Sequence, residues 1–302
     1  MTQTHIYDNV FRSMEEHAPS VMIPLINEVF GTNYAADEPV TRLGDKQHVL
    51  DMALETDACL KIQQKLYHCE CESNPDNSII AIRMFQYDLA VALEHKHREN
   101  GVYVITFPHS TVLYLRHGKN TKNTETVIVR MPDGREIDYI IPIVKCQEYT
   151  KDDIFNKKLY VMLPYYILRY EKYLAQYEEK EEKRQLLIEE YQDICQRLEN
   201  SLARENREAY AEIHKLIMQV LDYVLNIYTE TKKGVSHVMG GKAMESYKSQ
   251  LLREGQSTLL SSLIEKKLKA NKSIEQIASE VEMSVEEIQP LYDSIKKQLE
   301  AE

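Results

Sequence analysis

The sequence predicts an α/β domain followed by an all-α C-terminal extension. Two observations carry that prediction. In the first half of the chain, stretches of helical spacing alternate with short runs of period-two alternation. From about residue 153 onward nearly every window reads as helix. A third observation sets the scale. The chain has 302 residues, 43% hydrophobic and 28% charged, which is enough apolar material for a real core and too patterned for disorder.

The elements follow in order. Val10, Phe11 and Met14, then Val21, Met22, Leu25, Ile26 and Val29, recur at helical spacing over residues 8–30. Pro19 and Ser20 open the second of two helices there, and Gly31 stands where a C-terminal cap belongs. Residues 40–55 are weakly patterned. Residues 57–62 and 66–72 alternate as a β-hairpin. Asn74, Pro75, Asp76 and Asn77 break the chain, Ser78 is a candidate cap, and residues 78–97 read as one long helix. Strands are expected at 110–116, 125–131 and 135–144, the last two joined at Pro132-Asp133-Gly134. The tyrosine-rich LYVMLPYYILRYEKYL then leads into EEKEEKRQLLIEEYQDICQRL and AYAEIHKLIMQVLDYVLNIY, and Gly240-Gly241 interrupts the helical run. The charge run from Glu178 to Arg184 reads as a solvated helix face.

Net charge is −11, divided as −7 over residues 1–150 and −4 over residues 151–302. Neither half is basic, so no global grip on nucleic acid is advertised. A local cleft or a bound metal would have to offset the acids. The five cysteines are Cys59, Cys69, Cys71, Cys146 and Cys195. Cys69 and Cys71 are spaced C-x-C with no second pair at zinc-site spacing, which favours buried thiols over zinc. The opening MTQTHIYDNVFRS has no apolar signal core, and no stretch approaches the roughly 20 apolar residues of a membrane span. The expected setting is cytoplasmic, off the membrane, with reduced thiols.

The hairpin carries the chemistry. Side chains alternate along a strand, so His68, Glu70 and Glu72 share one face, and Tyr67, Cys69 and Cys71 the other. With Gln64-Lys65 as a two-residue turn, Asp57 faces Glu72, Cys59 faces Glu70 and Lys61 faces His68. Three acids and a lysine then share one surface of a half-buried strand pair. Like charges opposite one another destabilise a sheet unless the face is solvated or a cation sits there. Mg²⁺ takes oxygen from one or two carboxylates and keeps several waters, and such an ion activates water for phosphoryl chemistry. The open alternative is a solvated strand pair with scattered acids. Arg83 and Tyr87, four apart on the next helix, share a face and are placed to hold a phosphate beside the metal. The plainer alternative has Arg83 pairing with a carboxylate and Tyr87 packing. There is no Gly-rich phosphate loop, nucleophile elbow or zinc-protease helix motif.

The phrases YDNVFRSM, IPLINEVFGTNY, DACLKI, YHCECES, IAIRMFQYDLAVALE, PHSTVLYLR and LPYYILRYEKYL follow one another between Tyr7 and Tyr170. In order and spacing this segment resembles the recombination-promoting nuclease/transposase group of the PD-(D/E)XK nuclease superfamily. The resemblance covers a little over half the chain. It implies a restriction-endonuclease-like mixed sheet flanked by helices in a nuclease-like domain over residues 1–170. It implies metal-dependent hydrolysis of DNA, with Asp57 and Glu70 as the motif acids holding Mg²⁺ or Mn²⁺. Glu28 matches an accessory helix acid that also reaches the metal, and Arg83 and Tyr87 match residues that follow the motif. Glu72 departs from the pattern, which usually has lysine and in this group often glutamine. Lys61, on the neighbouring strand, is the candidate substitute for the missing positive charge.

The helical extension, residues 171–302, ends in SIEQIASEVEMSVEEIQPLYDSI, which holds two capping-box patterns, Ser273 with Gln276 and Ser284 with Glu287. The segment 258–298 is expected as a small helix-turn-helix-like unit. Its second helix opens Val285-Glu286-Glu287 and contains Pro290, which suits packing or homo-oligomerisation better than a phosphate surface. The expected function is thus a Mg²⁺-dependent DNA endonuclease of transposition or recombination, with a bacterial-type mobile element as its setting. The alternative is a catalytically degenerate nuclease fold serving as a DNA- or protein-binding module.

Overall fold

A computed structural model describes residues 5–43, 46–49, 52–55, 57–74 and 79–240. Near the C-terminus it describes residues 263–264, 266–269, 272–280, 283, 285, 288–289, 292 and 295. The chain forms two compact units, Met1–Met239 and Gly240–Glu302. The first opens with α1 (His5–His17), a 3₁₀ turn (Pro19–Met22) and α2 (Ile23–Phe30). Gly31 ends α2 in the left-handed conformation, φ 63°, as its place in the sequence requires.

Among the described residues ten strands follow or interleave: β1 (Val40–Arg42), β2 (Lys46–Val49), β3 (Met52–Glu55), β4 (Ala58–Ile62), β5 (Lys65–Glu72), then after α3 (Ile79–Glu94), β6 (His97–Glu99), β7 (Val102–Val104), β8 (His109–Tyr114), β9 (Thr124–Arg130) and β10 (Glu136–Lys145). Six of them form one mixed sheet in the order β1-β4-β5-β8-β10-β9. The pairs β5–β8 and β8–β10 are parallel, and the others are antiparallel. Helix α3 makes the crossover from β5 to β8 that parallel neighbours need. Strands β2–β3 and β6–β7 form two separate ribbons.

The hairpin register departs from the expected one. The turn is Gln63-Gln64, not Gln64-Lys65: Ile62 pairs with Lys65, Leu60 with Tyr67, Cys59 with His68 and Ala58 with Cys69. Gln63 takes the positive φ, 52°, that a tight hairpin turn demands, although no Asn or Gly marks the place. One step further along, this register sets Asp57 opposite Glu70 rather than Glu72. The expected half-buried strand is also corrected. From Tyr67 to Cys71 every residue of β5 is buried, because both faces of the central strand are covered.

Helix α3 covers one face, packing Ile80, Ala81 and Met84 onto Val112, Tyr114, Ile141 and Ile143. Each buried Ile, Val or Met among them contributes about 1.5–3 kcal/mol by leaving water. The other face meets α1 and the segment after α4 (Lys151–Asn156), a long 3₁₀ stretch, Tyr160–Tyr173. Pro164 inside that stretch lacks the N–H an α-helix would use there. Tyr165 donates its hydroxyl to the Tyr7 carbonyl at 3.0 Å and ties the stretch to α1.

The remaining helices are α5 (Leu174–Glu179), α6 (Glu181–Asn200), α7 (Leu202–Glu205), α8 (Arg207–Val224) and α9 (Thr229–Met239). Ser13 on α1 donates to Glu212 on α8 at 2.7 Å, so these helices pack within the same unit as the sheet. No helix among the described residues is long and apolar enough to cross a membrane. In the second unit, α10 (Ile274–Glu280) and its surroundings bury Ile264, Ile277, Ala278, Ile288 and Ile295. The box at its start is reciprocal: Ser273 N–H donates to Gln276 Oε1 at 3.0 Å, and Gln276 N–H to Ser273 Oγ at 3.4 Å. Ser284 with Glu287, Pro290 and Ser78 lie outside the described residues.

Candidate functional site

The register brings two carboxylates together inside the sheet. Asp57 and Glu70 are both buried. The Asp57 N–H donates to Glu70 Oε1 at 2.9 Å, and the Cys71 N–H donates to Asp57 Oδ2 at 3.1 Å. The two acids thereby continue the β4–β5 ladder through their side chains. Burial pushes the Asp57 carboxyl up to about 7, and the Glu70 charge adds to the rise. The pair is therefore short of positive charge.

Three side chains supply some. Arg12, on α1, donates Nε to Asp57 Oδ1 at 3.1 Å. Arg83, on α3, forms an ion pair with Glu72 and reaches within 3.8 Å of Glu70 Oε2. The third is His68, fully buried, whose Nδ1 lies 2.6 Å from Asp88 Oδ1 and whose Nε2 lies 2.9 Å from Glu70 Oε1. Between two carboxylates both ring nitrogens act as donors. Burial alone would lower the His68 pKa, but its hydrogen bonds to Asp88 and Glu70 outweigh burial and raise it to about 10. Asp88 accepts in turn from Ser110 Oγ and Tyr139 OH.

Each residue singled out in the sequence has a definite place. Glu70 and Glu72 lie on the α3 side of the sheet, where Arg83 pairs with them, and Asp57, just before β4, is held by Arg12 from α1 and by the Cys71 N–H. The Tyr87 ring lies 5.8 Å from the His68 ring, and burial followed by the Glu70 charge raises its phenol pKa. Lys61 sits opposite Leu66 at the turn end of the hairpin, and the expected pairing with His68 does not form. At about 3.3 Å per residue it is roughly 13 Å along the strand from Asp57. Glu28, on α2, accepts from Lys157 Nζ at 2.6 Å and from Tyr149 OH at 3.3 Å. Arg12, Asp88, Ser110 and Tyr139 were not singled out. Asp88 did carry a signal, being an acid on the helix stripe that otherwise buries Ile80, Met84 and Val91. Arg12 carried none, because it meets Asp57 across 45 residues of chain.

Among the described residues, no group of three or more His, Cys, Asp or Glu side chains is arranged to hold a metal ion. Mg²⁺ needs only one or two carboxylates with waters completing its shell, and Asp57 with Glu70 fits that requirement. Among the described residues, Glu70 Oε2 has no donor closer than Arg83 at 3.8 Å. Arg83 Nε is buried without a hydrogen-bond partner among the described residues, so the guanidinium has donor capacity that Glu72 does not use. The donor set is hard oxygen beside an under-used cation, which suits a divalent metal and a phosphate. Comparison with protein-family models, with curated proteins and with solved structures found no match.

Proposed function

We propose that this chain is a metal-dependent endonuclease that hydrolyses DNA phosphodiester bonds, in a restriction-endonuclease-like fold associated with transposition or recombination. The observation that carries the reading is Asp57 set opposite Glu70 in a buried strand pair, hydrogen-bonded to it, with Arg83 alongside. Asp57 and Glu70 would hold Mg²⁺ or Mn²⁺, and the ion, when bound, would supply a polarised phosphate and an activated water. Arg83 would grip a phosphate oxygen through charge-assisted hydrogen bonds. The Tyr87 phenol, one turn further along α3, would donate beside it. The acidic chain gives DNA little long-range attraction, so affinity would rest on these local contacts and on the metal's charge.

A second reading has its own observations. Glu72 stands where a lysine would neutralise the phosphate, it takes Arg83 as its partner, and Lys61 is at the other end of the hairpin. These favour a fold that has kept its acids for structure and now binds DNA or protein. Nicking of supercoiled plasmid decides between the two. Nicking that requires Mg²⁺ or Mn²⁺ and is lost in Asp57→Ala and Glu70→Ala is the expected result. Absence of nicking, or nicking unchanged in both variants, would favour the binding module.

A further inference from the structure

We propose that His68 is the positioning residue for Glu70, holding it so that Oε2, and not Oε1, is the oxygen offered to a divalent cation. The proposal rests on the metal-dependent reading above and adds a residue and an atom to it. Oε1 already accepts twice, from the Asp57 N–H at 2.9 Å and from His68 Nε2 at 2.9 Å. Those donors use its lone pairs and fix the plane of the carboxylate. Oε2 is left facing Arg83 at 3.8 Å, beyond hydrogen-bond reach.

His68 cannot drift from this role. It is fully buried, and its other nitrogen is held by Asp88 at 2.6 Å. Asp88 is held in turn by Ser110 from β8 and Tyr139 from β10. Tyr139 is itself packed edge-on against Phe85 at 5.4 Å. The line Tyr139/Ser110–Asp88–His68–Glu70 thus spans α3 and three neighbouring strands, and each link is a hydrogen bond to a carboxylate. Partners of this kind orient metal ligands and tune their basicity. A self-contained buried network that only satisfies its own polar groups would look similar, so the test must separate orientation of Glu70 from burial.

Two amide substitutions do so. Gln at position 68 places its amide where Nε2 was and keeps the donor to Glu70. Asn places its amide where Nδ1 was and keeps only the donor to Asp88. Mn²⁺ binding to the full chain, measured by titration calorimetry, is expected to weaken about 10- to 100-fold in His68→Asn and by no more than about three-fold in His68→Gln. Thermal stability is expected to fall by similar amounts in both. Equal Mn²⁺ affinities in the two variants, or no Mn²⁺ binding by the parent chain, would overturn the proposal. Should His68→Asn fail to fold, Tyr139→Phe takes its place. It removes one donor from Asp88 and leaves the histidine, so weakened Mn²⁺ binding supports the proposal and parental affinity overturns it. Plasmid nicking is read separately. The affinity split without nicking sinks the nuclease reading alone, and metal-dependent nicking with equal affinities sinks only the role of His68.

Discussion

Asp57 donates its backbone N–H to the side chain of Glu70, 2.9 Å away, while the next residue on the partner strand, Cys71, donates back to the Asp57 carboxylate at 3.1 Å. Two acids that repel each other are thus fastened together by neutral donors, and the fold holds the repulsion in place.

That arrangement makes stability fall as pH rises. The Asp57 carboxyl titrates near 3.8 when exposed and near 7 in the fold, so between those values the folded chain binds the extra proton. Its contribution is greatest below the lower value and is lost as pH climbs to 7. His68 acts in the same direction at higher pH. Its stabilising charge is fully present below 6.5 and lost as pH rises through about 10. The melting temperature in EDTA is expected to drop on the order of 5 °C between pH 5 and pH 7. Asp57→Asn should flatten that first part of the profile and leave the alkaline part.

Glu72 and Glu70 are expected to behave differently when neutralised. Glu72 spends its charge on Arg83, so Glu72→Gln frees the guanidinium for a phosphate. Glu72→Gln should retain metal-dependent nicking, while Glu70→Gln should lower it by about 100-fold or more by removing a metal ligand. Equal losses in the two variants would place Glu72 among the ligands.

Glu28 offers a sharper check on the metal site. Its carboxylate is committed to Lys157 and Tyr149. Calorimetry of Glu28→Gln is expected to give an Mn²⁺ affinity within about two-fold of the parent, since an exposed ion pair of this kind contributes roughly 0–1 kcal/mol. A large loss of affinity would place Glu28 at the metal, as the resemblance implies.

Packing of α9 on α6 makes a prediction independent of function. A Cβ added at Gly234 would collide with Cδ1 of Ile188. Helix propensity favours alanine there by about 1 kcal/mol, whereas overpacking costs about 1–3 kcal/mol. Gly234→Ala should therefore destabilise the parent chain in urea, and become neutral or stabilising once Ile188→Val has removed Cδ1. The double variant gives the sign.

Much of this was readable from residue order. The helices around Met14 and Leu25, the long helix carrying Arg83, and the strands around Val112 and Ile128 follow from periodicity, and they formed within a few residues of expectation. That His68, Glu70 and Glu72 share a face was also readable. The parity of a strand survives a turn misplaced by one residue on both strands, because each pair then shifts by two. Which acid faces which was not readable. Without Asn or Gly at the turn, the register is set by burying Leu60, Ile62 and Tyr67 together, a property of the whole sheet.

By itself, then, the sequence determined the order of elements, the shared face of Glu70 and Glu72 and the helix that brings Arg83 and Tyr87 to it. These depend on local spacing, and spacing is written in the chain. Tertiary structure alone decided that Asp57 meets Glu70, that Arg12 closes on Asp57, and that Asp88 clamps His68. Those contacts span 13, 45 and 20 residues of sequence. Only the packing of α1 and α3 on opposite faces of one sheet gives them a distance.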